Sequence, residues 1–165
     1  MDSIVANARR YCHGRGIQLD EIGILGWGQD GTVWKTQVPT AVKVFHRKAN
    51  YAVEKACYQR LEAMKLRSIG DVNLAQMICF DDELLVIELE IVTPPYLLDF
   101  GKAYIDQRSP YNQEQLLDYQ NAVRELFGDD YPRVLKITRL LWNLCRIDYV
   151  DAKPANICFR NFDSD

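Results

Sequence analysis

The sequence predicts an α+β fold: a five-stranded antiparallel sheet with one long helix, followed by a reduced, mostly helical second half. Three observations carry that expectation. Residues 22–45, IGILGWGQDGTVWKTQVPTAVKVF, set Gly26, Gly28 and Gly31 between two apolar runs rich in β-formers, with a third run at Thr40–Phe45. Residues 50–67 repeat Val53, Cys57, Leu61 and Met64 every three or four positions, which is the spacing of one helix face. Beyond Ser109-Pro110 the apolar period is helical almost throughout.

Taken in order, Ile4, Val5, Ala8 and Tyr11/Cys12 recur at helical spacing and predict a short helix on the outside of the sheet, ended by Gly14-Arg15-Gly16. Ile17–Leu25 and Thr32–Lys35 are the first two strands, joined by the glycine turn. Glycine lacks a Cβ, so its backbone can lie directly against a ligand or another chain. A dinucleotide-binding turn needs a helix straight after the glycines, and Thr32–Thr36 reads as strand, which excludes it. By itself the stretch is equally an ordinary glycine-rich hairpin. Lys43 alternates with Val42 and Val44, either as the solvent-facing member of an edge strand or as a cation aimed inward. Val72–Phe80 and Leu84–Val92 are the fourth and fifth strands, turned at Asp81-Asp82-Glu83 and stopped by Thr93-Pro94-Pro95. Asn112–Phe127 and a helix from Pro132 to about Arg146 form the floor of the second half, with Trp142 expected in the core.

Composition narrows the partners. The 165 residues carry 20 basic and 23 acidic side chains, a formal charge of −3, and no basic block. A nucleic-acid groove or an anionic membrane surface is therefore not expected. Residues 1–11 lack a signal-peptide apolar core, and the apolar runs fall short of a membrane span, so the expected location is cytoplasmic. Cysteines 12, 57, 79, 145 and 158 are scattered and never form a Cys-x-x-Cys pair, as expected of free thiols. His13 and His46 are the only histidines, which argues against a zinc site or histidine-based hydrolysis.

The second constellation is Ile147-Asp148-Tyr149-Val150-Asp151-Ala152-Lys153-Pro154-Ala155-Asn156-Ile157. Its Asp-x-Lys-Pro-x-Asn-Ile core, placed after a glycine loop and a strand lysine, resembles protein kinases. The resemblance implies a protein-kinase-like fold with a small lobe over 1–92, a hinge at 93–96 and a truncated helical lobe over 97–165. It implies ATP and Mg²⁺ as cofactors. The amides of Gly26, Gly28 and Gly31 would cover the β- and γ-phosphates, and Val33 and Ala41 would line the adenine slot. Lys43 would face the α- and β-phosphates, held by Glu54, with Glu62 two turns further on as the rival partner. Backbone from Glu90 to Val92 would meet the adenine edge. Asp151 would orient or deprotonate an acceptor hydroxyl, Lys153 would contact the γ-phosphate, and Asn156 would ligate magnesium.

The pattern also departs from that family. Tyr149-Val150 stands in place of His-Arg, which argues against control by activation-loop phosphorylation. Leu98-Asp99-Phe100-Gly101 spells the magnesium motif, but it precedes the Asp151 loop where the family motif follows it. Asp99 is therefore expected to be a local cap or a polar residue at the cleft rim. The magnesium carboxylate is sought instead at Asp163 or Asp165, whose other reading is a solvated acidic terminus.

Three functions follow. The chain is an atypical kinase passing a γ-phosphoryl group to a hydroxyl on a protein or small molecule. Or it is a kinase-like protein that binds nucleotide weakly or not at all and acts through protein contacts. Or it is a piece of a longer kinase. The second reading expects an exposed apolar patch on the 116–127 helix, and self-association is open under all three.

Overall fold

The computed structural model describes residues 2–160. In chain order the elements are α1 (Asp2–Arg15), β1 (Leu19–Trp27), β2 (Gly31–Thr36), β3 (Thr40–Phe45), α2 (Lys48–Ala63), β4 (Ser68–Ile69), β5 (Val72–Leu74), β6 (Met77–Asp81) and β7 (Val86–Glu90). The second half holds β8 (Tyr96–Leu97), β9 (Ala103–Ile105), α3 (Gln113–Phe127), a 3-10 turn (Gly128–Asp130), α4 (Tyr131–Cys145), β10 (Ile147–Tyr149) and β11 (Ile157–Cys158). The main sheet has five strands in the order β1-β2-β3-β7-β6, all neighbours antiparallel. With α2 between β3 and the last two strands of the sheet, and helices dominating the second half, this is the α+β architecture the sequence predicts.

Strand β3 is central, so both of its faces are covered and its sequence is apolar apart from Lys43. Side chains alternate across a strand. Val42 and Val44 pack with Trp34, Val86 and the α1 residues Ile4, Ala8 and Tyr11. Ala41 and Lys43 lie on the opposite face, in register with Leu89 and Ile87. Lys43 is therefore not an edge residue open to water. Helix α1 is pinned by Glu88 on β7, which is buried and accepts hydrogen bonds from Tyr11 Oη at 2.8 Å and Arg15 Nε at 3.1 Å.

Gly31 has a steric reason. A Cβ there would stand 2.1 Å from the Val44 carbonyl oxygen on β3, in backbone that cannot give way. Gly31→Ala is expected to lower stability by about 3 kcal/mol, read as a shift in the urea midpoint at unchanged slope.

Two elements differ from expectation. The apolar run 72–80 is not one strand: β5 leaves the main sheet to pair with β4 and β8, and β6 joins β7. The break is fixed by Gln76, whose amide donates to the carbonyls of Leu66 and Leu74 at 3.2 and 3.1 Å. Helix α2 stops at Ala63 because Lys65 turns left-handed (φ 55°) and the amides of Lys65 and Leu66 bond back to Glu62 and Leu61.

Helix α3 starts in a capping box between Asn112 and Gln115, and α4 carries Pro132 in its first turn, where a missing N–H costs nothing. Val134, Ile137, Leu141 and Cys145 of α4 join Leu61, Leu97, Phe100 and Ile157 in one core that runs through both halves. Trp142 is not part of it: the half-buried ring lies under the Arg108 guanidinium, 3.7 Å from its centroid. Among the described residues no helix is long and apolar enough to cross a membrane.

Candidate functional site

The cleft face of β3 delivers Lys43 to a pair of carboxylates. Its Nζ donates to Glu54 Oε2 at 2.7 Å and lies 3.3 Å from Asp99 Oδ1. Lys43 is 6% exposed and Glu54 1%. Glu54 points at the sheet because it sits on the same side of α2 as the buried Tyr51, Cys57, Tyr58 and Leu61. Glu62 is exposed and takes no part.

Burial alone would lower the Lys43 pKa, but the two carboxylates outweigh it and hold the ammonium above its ordinary range. Burial also works against the charged form of Asp99. Lys43, the Gly101 amide and Lys153 outweigh it and keep Asp99 below the usual carboxylate range. For Glu54 burial wins: its carboxyl is pushed up to about 7 against the pull of Lys43, helped by repulsion from Asp99 and Asp30. One of its oxygens, Oε1, has no hydrogen-bond partner among the described residues, and neither does the buried Tyr58 hydroxyl.

A carboxyl with a raised folded pKa binds a proton on folding. The stability this contributes is full below the ordinary value of 4.5 and is lost as pH rises through about 7. Lys43 and Asp99 stay charged across that window and cancel from the slope. Glu54→Gln is expected to flatten the fall in stability between these two pH values, a difference of up to about 3 kcal/mol in urea melts.

The position of Asp99 is set by a short strand pairing. Strand β8 pairs antiparallel with β11, Leu97 opposite Ile157, and the Leu98 amide donates to the Asn156 carbonyl at 2.8 Å. That pairing sets the Asp99-Phe100-Gly101 turn directly against the 151–156 loop, although the chain reaches it much earlier. Asp99 is both a local cap and a polar residue at the cleft, the two readings expected of it. It is left-handed (φ 63°), its Oδ1 accepts from the Gly101 amide at 3.1 Å, and the same oxygen faces Lys43. Phe100 is fully buried and meets Tyr58 of α2 and Tyr149 of β10 edge-on, at centroid distances of 5.3 and 5.7 Å. Tyr149 Oη in turn donates to the Leu98 carbonyl at 2.9 Å. The aromatic column ties α2, the Asp99 turn and the loop into one block.

The loop holds its own carboxylate. Asn156, buried, donates from Nδ2 to the Asp151 carbonyl at 2.9 Å and to Asp151 Oδ2 at 2.8 Å. Lys153 Nζ lies 3.1 Å from Asp151 Oδ2, and Lys102 Nζ lies 3.4 Å from Oδ1. From α3, Tyr119 Oη accepts the Ala152 amide at 3.1 Å. Tyr119 carried no sequence signal beyond an apolar helix position. Lys102 could have been suspected only once Asp99 was placed.

The remaining expected residues are less gathered. A Cβ at Gly26 or Gly28 would meet nothing within 4 Å, so the loop backbone is open there. Val33 is opposite Lys43, and Ala41 opposite Leu89, on one face. The Glu90 amide is already donated to the Gln76 carbonyl at 2.9 Å, so Glu90 cannot donate to a ligand edge. Val92 is half-buried just beyond β7. Asp163 and Asp165 lie outside the described residues. Among those described, no three His, Cys, Asp or Glu side chains converge on a metal position. The oxygen-bearing side chains nearest this turn in the fold are Asp99 itself and, on the loop paired with it through β8 and β11, Asp151 and Asn156. Hard oxygen ligands of this kind suit magnesium.

A cavity of about 490 Å³ lies away from Lys43: it opens between α3, α4 and β10 and is lined by Arg108, Tyr119, Trp142 and Tyr149 among others. A smaller one of about 260 Å³ borders the Asp99 turn, with Asn50, Gly101, Lys102 and Val150 on its walls.

No family model matches the chain, and no curated protein matches it. Among solved structures, a ternary complex of APH(2")-IIa with streptomycin and ATP is similar at 16% identity and a TM-score of 0.40, over 73% of this chain and 38% of the other. The chain thus spans well under half the length of that structure.

Proposed function

We propose that the cleft between β3 and the 151–156 loop receives the phosphates of a magnesium-bound nucleotide, and that the chain is a kinase-like phosphotransferase module. The observation that carries this reading is the meeting of Lys43, Glu54 and Asp99 beside Asn156 and Asp151, five polar residues from four separate parts of the chain. Glu54 fixes Lys43 as a point charge for phosphate oxygens, a role in positioning rather than stability. Asp99 and Asn156 are the residues that would hold magnesium, which, when bound, neutralises phosphate charge. Asp151, held through Asn156, is placed to accept the proton of an acceptor hydroxyl, and Lys153 to meet the phosphoryl group on its way across.

A second reading is a kinase-like protein that acts through protein contacts, with weak or no nucleotide binding, or as one part of a longer kinase. It is favoured by a specific observation: Leu116, Leu117 and Leu126 of α3 are exposed, and Leu116 lines the open cavity between α3 and α4. ATP affinity measured with and without Mg²⁺, on the parent and on Lys43→Met, separates the two. Binding that is weak and indifferent to both changes rules out the first reading in favour of the second.

A further inference from the structure

The glycine loop carries an acidic side chain that a phosphate-covering role does not use. Asp30 lies in the tight turn closed by the Gly28 amide on the Gly31 carbonyl at 3.0 Å. Its Oδ1 accepts from Asn50 Nδ2 at 2.5 Å, and its carbonyl accepts from the His46 amide at 3.0 Å. Its Oδ2 reaches the Asp99-Phe100-Gly101 turn, 3.1 Å from the point where a Cβ on Gly101 would stand. Glycine at 101 leaves room for it.

Helix α2 has a use for this carboxylate. Its N-cap residue Arg47 makes no side-chain cap, and its first turn holds no acidic residue. A negative charge supplied from the loop complements the positive end of the helix. Asn50 and Glu54 are one turn apart on α2, and residues at that spacing share a face. The helix therefore makes two polar contacts from one side, Asn50 to the glycine loop and Glu54 to Lys43.

We propose that Asp30 and Asn50 latch the glycine loop to α2, so that closing the loop and seating Glu54 against Lys43 are a single movement. Both are positioning residues: they order the loop and the helix without touching the phosphates. The latch itself does not depend on the function proposed above; its effect on nucleotide binding rests on that reading.

Amide hydrogen exchange on the full chain tests the latch directly. Asp30→Ala and Asn50→Ala are each expected to speed exchange at His46 by about tenfold at unchanged global stability, and the double variant no further than either one. The reciprocal pair Asp30→Asn with Asn50→Asp restores a donor and an acceptor and is expected to restore protection. Magnesium-dependent ATP affinity is expected to fall about tenfold in the single variants and to recover in the reciprocal pair. Asn50→Ala, at an uncapped first turn, keeps the test decisive where Asp30→Ala does not fold. Unchanged His46 exchange in Asn50→Ala, or additive effects in the double variant, overturns the latch. A parent that binds no ATP counts against the proposed function, while the exchange result still decides the latch.

Discussion

Asp99→Asn is expected to weaken ATP binding in the presence of magnesium by roughly a hundredfold, and to leave metal-free binding within about threefold. Asparagine keeps an acceptor for the Gly101 amide and the shape of the turn, so the fold has little reason to change. What it loses is the negative charge that faces Lys43 at 3.3 Å and, under the proposed function, a hard anionic ligand for magnesium. The same substitution at Asp163 and at Asp165 is the control, because those carboxylates are the ones the order of the chain would choose. A hundredfold loss there, with Asp99→Asn silent, would move the magnesium role to the C-terminal residues.

Lys43→Met has the second large effect. It removes the cation that Glu54 and Asp99 share and costs about 2–3 kcal/mol of phosphate binding, roughly fiftyfold in ATP affinity. It also leaves two neighbouring carboxylates without their shared partner. At pH 8, above the parent's Glu54 pKa of about 7, the variant must either hold both charges or bind a proton the parent does not, and stability is expected to drop by about 3 kcal/mol. At pH 6 Glu54 takes up a proton and relieves the repulsion, so the loss is smaller. Urea melts of parent and variant at the two pH values check the sign: a larger loss at pH 6 would contradict the raised Glu54 pKa.

The contact between Lys43 and Glu54 was legible in the sequence for a local reason. Each sits in an element with a clear period, β3 with alternation and α2 with a three-to-four repeat, and the short link between them leaves few ways to pack. The 151–156 loop was legible because its residues are contiguous and bond to one another. Asp99 was not, because its place depends on β8 and β11, strands of two residues each, whose pairing joins distant parts of the chain. So short a strand has no periodic signal, and nothing in the linear sequence marks which distant segments it joins. The Asp30–Asn50 contact was hidden for a different reason: it is made by side chains at a loop and a helix start, where neither residue type is unusual. Trp142 shows the limit of a helical stripe, since position on α4 did not reveal that Arg108 covers its ring from outside the core.

The central claim is that chain segments in an unexpected order build one metal-and-phosphate cleft around Asp99. Titrating the isotope-labelled protein with Mn²⁺ and ATP and mapping paramagnetic broadening of the amide signals tests it most directly. Broadening centred on Asp99–Gly101 and Asn156, extending to Gly26–Gly31 and sparing α3 and α4, is the predicted result. Broadening centred on the C-terminal carboxylates or on the α3–α4 cavity, or none that requires ATP, would contradict it.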